Sequence, residues 1–219
     1  VDCMGVCMTL LEGENAAMLV DTGYGIEDVA DFMRHMTDLP LTVFLTHNHH
    51  DHAMGARCFP ETYMLEADMA DWRMFTDDKM RRRVLTQAIG KNLPVDEKTF
   101  LAGEIPLPKV MKPGVIDLGG LTAEIIEAPG HTPGSAVVYV PERKLLLSGD
   151  DWNPCTWLFF PQALGLREYR SNMRGIQQLP FEKVLCPHRE ALYDRWMFDD
   201  FFNALTDGNL RAAEPVNIA

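Results

Sequence analysis

Apolar residues along this chain come in short runs closed by glycine, proline and asparagine, the pattern of strands rather than long helices. Residues 3–11 and 16–21 read as two strands joined at Glu12-Gly13-Glu14-Asn15, with Gly13 expected to supply the turn geometry. Asp21-Thr22-Gly23 closes the second run. A helical period follows over 27–36, and Pro40 precedes a short apolar strand at 41–45.

From 66 to 93 the sequence is helix-like and rich in methionine and charge, and it ends in a proline-dotted stretch from 94 to 113. Residues 66–113 together read as a helical insertion, either a lid over the site or a face that packs against another subunit. Strand patterns return at 115–118, 121–127, 136–140 and 144–148, with turns at Gly119-Gly120 and Pro141-Glu142-Arg143. After Asp150 comes an aromatic loop (Trp152, Trp157, Phe159, Phe160), then a helix around 163–179, a strand at 183–186 and a C-terminal helix around 191–206. No internal repeat of fixed period is visible. Strands with helices between them and at both ends predict an α/β architecture of packed sheets flanked by helices, in one domain over 1–219.

Composition narrows the function. At 219 residues and 47% apolar the chain can bury a substantial core. It has no run of about 18 apolar residues that would span a membrane, and no basic-then-apolar leader, although it begins at Val1 rather than Met. Five cysteines, an odd set in a chain of this size, fit reduced and mostly buried thiols, and with them a cytoplasmic location. The net charge of −12 would repel a polyanion, and the one basic cluster, Arg81-Arg82-Arg83, is read as a solvated helix face. The expected partner is a small-molecule substrate, with no nucleic acid and no membrane.

The chemistry gathers in Thr46-His47-Asn48-His49-His50-Asp51-His52, directly after an apolar strand. Imidazole nitrogen and carboxylate oxygen are ligands for zinc and similar divalent ions. In an extended segment alternate side chains share a face, so His47, His49 and Asp51 point one way, and a helical turn at Asp51 would bring His52 round. One short loop could thus feed two adjacent metal ions. His50, in the slot between ligands, is expected to face away, and His35 to sit at a helix C-terminus, where a cation suits the dipole.

His47-x-His49-x-Asp51-His52 resembles the signature of the metallo-β-lactamase superfamily. Asp21-Thr22-Gly23 resembles that family's first motif, Gly130-His131-Thr132-Pro133-Gly134-Ser135 its third, Ser148-Gly149-Asp150 its fourth, and His188 after a strand its fifth, over about residues 3–190. The resemblance implies an αββα sandwich with His47, His49 and His131 on one metal ion and Asp51, His52 and His188 on a second. Asp150 would bridge the two; Asp151 follows it and could supply the ligand instead, but the family's Gly-Asp order favours Asp150. The surroundings of His188, Cys186-Pro187-His188-Arg189-Glu190, depart from the glycine-rich family pattern, and Cys186 is read as a buried thiol. Asp21 is expected to orient a ligand imidazole.

The implied cofactors are two divalent metal ions, zinc first, with manganese or iron as alternatives. Such a pair about 3.5–4 Å apart can activate a shared water and polarise a carbonyl or phosphoryl oxygen. Asp51 would orient the nucleophile and shuttle its proton, and Tyr24 could hydrogen-bond an oxyanion. The family includes β-lactamases, thioesterases, lactonases, phosphodiesterases, nucleases and iron oxidoreductases, so fold alone leaves the substrate open. Gly149-Asp150 argues against a dedicated lactamase, His49 against a flavodiiron site, and the short chain after His188 against glyoxalase II. The expectation is hydrolysis of a small ester, thioester or lactone, with the aromatic loop as an apolar wall. The alternatives are phosphoester hydrolysis and a mononuclear iron oxidoreductase resembling persulfide dioxygenase; a non-catalytic module on the same fold is disfavoured because every ligand position is filled.

Overall fold

Alternation of apolar residues between two sides of each strand, visible in the computed structural model, gathers the strands into two mixed sheets. The structure describes residues 1–212; of the expected domain, 213–219 lie outside the described residues. The first sheet holds β1 (Thr9–Glu12), β2 (Ala17–Val20), β3 (Leu41–Phe44), β4 (Tyr63–Met64) and β5 (Lys109–Val110), in that order. The β1/β2 pair is antiparallel and the remaining pairs are parallel. The second holds β6 (Gly114–Asp117), β7 (Thr122–Glu127), β8 (Ala136–Val140), β9 (Leu145–Leu147), β10 (Lys183–Leu185) and β11 (Leu192–Asp194), in the order β11-β10-β9-β8-β7-β6. Here only β9 and β10 run parallel.

Period-two alternation assigns the layers. Met18 and Val20 of β2 face Ile125, Val138 and Val140 of the second sheet in a shared core, while Leu19 between them turns outward. Leu19 and Val43 pack on helix α1 (Val29–Met36) through Val29, Ala30 and Met33. On the far face of the second sheet Val137, Tyr139 and Leu146 meet two helices, α6 (Leu166–Gln177) and α7 (Arg195–Ala204), through Tyr169, Met173, Phe198 and Phe202. The result is the expected αββα sandwich. Burying each Val, Leu or Phe of this core contributes roughly 1.5–3 kcal/mol, which orders the layers without further devices.

Between β3 and β5 lie the short helix α2 (His50–Ala53), α3 (Trp72–Thr76), α4 (Asp78–Gly90) and α5 (Glu97–Phe100); α8 (Asp207–Ala212) follows α7. The segment read as an insertion is helical as far as Phe100 and then returns to the first sheet as β5. Its core is Trp72, Val84, Leu85, Ala88, Phe100 and Ile105, packed on Leu45 and Met64.

Four local expectations change. Residues 3–8 are not strand: the Asp2 carboxylate accepts from the amides of Met4 (3.0 Å) and Val6 (2.9 Å), and those local bonds curl the chain away from the sheet. Gly13 is not in the left-handed region; it is glycine because a Cβ there would stand 2.1 Å from the Leu118 carbonyl oxygen. The predicted helix over 191–206 begins as strand, with Val184 registered opposite Tyr193, because the open side of β10 offers backbone bonds that helix propensity cannot match. Arg81 is not on the solvated face of α4. It is buried, donates to the carbonyls of Phe100, Ala102 and Gly103, and stacks over Phe100, leaving Arg82 and Arg83 to solvent.

All five cysteines are free, as expected, but only Cys186 is buried. No described helix is long and apolar enough to cross a membrane.

Candidate metal centre

Strands β2, β3, β9 and β10 all deliver their C-terminal ends to one edge of the sandwich, the place where open sheets present their loops to ligands. Asp21 follows β2, the histidine loop follows β3, Asp150 follows β9 and His188 follows β10; the loop carrying His131 joins β7 to β8 at the same edge. Gly149 makes the close approach there: its φ is +50°, and a Cβ would lie 3.2 Å from the Thr46 side chain. The chain bends at Thr46 and His47, is extended at His49 and turns helical at His50, and His47 and His49 still bring their ring nitrogens together beside His131. The helix starts one residue earlier than the spacing predicts, and Asp51 groups with His52 and His188 instead.

Every sequence-expected metal ligand reaches this edge, in three overlapping groups whose donor atoms lie within 4.8 Å of one another: His47, His49 and His131; His47, His52 and Asp150; Asp51, His52 and His188. His131 Nε2 is 2.9 Å from His49 Nδ1 and 3.5 Å from Asp150 Oδ2. His52 Nε2 is 3.4 Å from Asp150 Oδ1, and His188 Nε2 is 3.1 Å from Asp150 Oδ2 and 3.6 Å from Asp51 Oδ2. Asp150 therefore touches both outer groups.

The partners of the outer ring nitrogens decide which way the lone pairs face. Thr46 Oγ1 gives its proton to Asp21 Oδ1 (2.9 Å), so at 3.0 Å it accepts from His47 Nδ1. His52 Nδ1 donates to Asp21 Oδ2 (2.9 Å), and His131 Nδ1 donates to the Trp157 carbonyl (2.7 Å). Asp21 thus orients one imidazole directly and a second through a hydroxyl. The inward Nε2 atoms of His47 and His52 and Oδ1 of Asp150 are buried and have no hydrogen-bond partner. Buried polar atoms are rarely left unpaired, because each costs roughly 1–3 kcal/mol. Three that converge beside two carboxylates fit a divalent cation.

Electrostatics agree with that fit. Burial holds the His47 imidazole well below its usual range and pushes His49 down to about 3, so both are neutral, the form that ligates. Burial works against charge at His52 too, but Asp150, Asp51 and Asp21 outweigh it and raise its pKa well above normal. The same opposition, won by His52 first, holds Asp150 well below the carboxylate range and lowers Asp51. Three carboxylates around His52 call for positive charge at that point.

The remaining expected residues sort clearly. Asp151 points away from the cluster: its Oδ1 accepts from the His131 backbone amide (3.0 Å), and burial raises its pKa well above normal. His50 stacks edge-on against Tyr24 at 5.4 Å and belongs to none of the three groups. His35 Nδ1 donates to the Asp31 carbonyl (2.8 Å) at the end of α1, on the surface. Tyr24 is half-buried beside His50, with a hydroxyl that burial, then Asp51, Asp2 and Asp150, hold above its usual pKa. Cys186 lies outside the three groups, its thiol pushed by burial up to about 11.

Three supporting residues gave no sequence signal. Asp68, one acid among many in the charged stretch, is buried and accepts from the amides of Asn48 (3.1 Å) and Gly134 (2.6 Å) and from the Thr132 hydroxyl (2.8 Å). It clamps the histidine loop to the loop of His131. Thr46 relays Asp21 to His47, and the Gln162 side-chain amide nitrogen lies 3.4 Å from His49 Nε2.

A family model for the metallo-beta-lactamase superfamily matches residues 1–188. The chain belongs to the metallo-β-lactamase superfamily. Among curated proteins it is similar to the acyl-coenzyme A thioesterase MBLAC2 of Gallus gallus, 26% identical over an alignment of 202 positions that covers 82% of this chain and 70% of that protein. Among solved structures, the BLEG-1 B3 metallo-beta-lactamase superposes with a TM-score of 0.66 at 18% identity, covering 94% of this chain and 97% of that one. A metallo-beta-lactamase from Pontibacter korlensis gives 0.64 at 17% identity, covering 92% and 87%. At these identities the structures establish the superfamily fold, and the chain carries its His/Asp cluster of metal-ligand type.

Proposed function

We propose that this superfamily member is a metal-dependent hydrolase of carboxyl substrates, a small ester, thioester or lactone. The observation that carries the reading is the Asp21 relay, which leaves two bare, buried imidazole nitrogens facing Asp150. Thioesters lead because the curated relative is an acyl-coenzyme A thioesterase. In this reading His47, His49 and His131 hold one divalent ion, Asp51, His52 and His188 a second, and Asp150 lies between them. The nitrogen-rich donor set suits zinc first, then iron or manganese. When bound, such ions lower the pKa of water towards neutrality and polarise the substrate carbonyl.

The chain's own residues then divide the work. Asp51 is part-exposed at the rim, where its carboxylate can accept the proton of the attacking water and return it to the leaving group. Tyr24 keeps its hydroxyl protonated and can donate to the developing oxyanion. Asp21 and the Trp157 carbonyl fix the imidazoles so that no reorganisation is needed during reaction. The acidic surface and free thiols suit a cytoplasmic protein acting on small molecules rather than nucleic acid.

Turnover of an acyl thioester, a lactone and a phosphodiester, each with and without chelator, tests the reading. Chelator-sensitive cleavage of the carboxyl substrates is expected; preferential cleavage of the phosphodiester would replace it with the phosphoester alternative. Asp51→Ala should retain at least one metal ion and lose about 10²–10⁴-fold in turnover, the usual share of a general base.

A further inference from the structure

Between the turn at Gly149–Asp151 and α6 the chain shows aromatic rings that its core does not use. Trp157 and Phe159 are each 51% exposed. They join Phe160 in one cluster, with ring centroids 5.4 Å apart for Trp157–Phe159 and 4.7 Å for Phe159–Phe160. The cluster reaches the candidate ligands: the Phe160 ring is 4.9 Å from His49 and 5.5 Å from His131. Phe75 of α3 meets the same His49 ring at 4.5 Å, with the exposed Met74 beside it.

The loop is built in place. Its Trp157 carbonyl holds His131, its Leu164 amide donates to the Gly130 carbonyl (2.8 Å), and a turn at Asn153 is closed by Thr156 Oγ1 (3.0 Å). Exposed aromatic surface continuous with a polar site marks a place where an apolar ligand group sits. The other rim is polar, formed by Asp51 and His188, whose side chains are part-exposed and 3.6 Å apart. The two rims therefore sort the two ends of a substrate.

We propose that Trp157, Phe159 and Phe160, with Phe75 against the same His49 ring, receive an aliphatic acyl chain, so that the favoured substrates carry a chain of several carbons rather than an acetyl-sized group. This inference rests on the hydrolase reading and adds the substrate class. Because the Phe160 ring lies against both His49 and His131, a carbonyl held at those imidazoles would direct its acyl chain to the aromatic side and its polar leaving group to the other.

Binding of butyrate, hexanoate and octanoate to the full metal-loaded chain, followed by calorimetry, is compared with kcat/KM for acetyl, butyryl and octanoyl thioesters of one thiol. Affinity and kcat/KM should each rise about threefold to fourfold per added methylene, the ratio for ~0.8 kcal/mol per buried CH₂. In the double variant Trp157→Ser/Phe159→Ser that rise should fall below about twofold per methylene, because the backbone carbonyl that holds His131 is kept while the apolar surface is removed. A wild-type affinity independent of length, or an unchanged rise in the double variant, overturns the acyl wall. Chelator-sensitive thioester turnover with no length dependence overturns the wall and leaves the hydrolase; length-dependent alkanoate binding without any hydrolysis supports the wall and overturns the hydrolase.

Discussion

The two ends of the candidate metal centre are built from different material. His47, His49 and His131 are all but buried, at 1%, 3% and 1% exposure, and they are imidazoles only. Opposite them, the side chains of His188 and Asp51 are 33% and 16% exposed, and His52 stands among three carboxylates. The buried end is set by folding, because each of its outer contacts comes from a loop locked under it. The acidic end opens to solvent and carries the charge. A ligand's worth should therefore depend on which end it belongs to.

The largest effect should separate the ends directly. His131→Ala removes a buried ligand and frees the aromatic loop, and turnover should fall by about a thousandfold or more, some 4 kcal/mol of transition-state stabilisation. His188→Ala, at the open end where water can take its place, should cost about ten- to a hundredfold. Kinetics with elemental analysis checks both; equal losses would break the comparison.

Next comes Asp68, which serves the buried end alone. Asp68→Ala strands the buried amides of Asn48 and Gly134 and removes one partner of the Thr132 hydroxyl, and should lower stability by about 3 kcal/mol. In a chain of this size that is a fall in Tm of about 6–12 °C, read by thermal melting. An unchanged Tm would show that the two loops are held by other contacts.

Asp21 links the ends, and its loss should be felt at both. Asp21→Asn should weaken metal affinity about 10–100-fold, measured by competition with a chromophoric chelator. The smallest effect belongs to Thr46→Val, which cuts only the branch to His47 and should weaken affinity by less than about tenfold. A Thr46 effect as large as that of Asp21 would mean that the relay, rather than the direct bond to His52, orders the site.

Much of this was legible in the residues. The strands at 41–45, 121–127, 136–140 and 183–186 lie where apolar runs and turns place them, and the histidine loop stands out because its spacing repeats one residue type on one face. What the sequence hides is whatever depends on another segment's position. Tyr193 becomes strand only because β10 has an open side. Arg81 is indistinguishable from Arg82 and Arg83 until α5 ends beneath it and presents three carbonyls. Asp68 is one of 32 acidic residues, and its role exists only once the loops at Asn48 and Gly134 meet over it. Gly13 shows the converse, a turn residue by sequence that is required for close approach.

In the proposed reading the converging nitrogens and carboxylates hold two divalent ions on which turnover depends. Elemental analysis of the full chain, purified without added metal, with thioester turnover measured before and after chelation, tests it most directly. The account predicts about two divalent ions per chain, zinc foremost, and turnover lost with the metal and restored on its return. A metal-free protein that still hydrolyses the thioester, or one iron per chain and no hydrolysis, would contradict it.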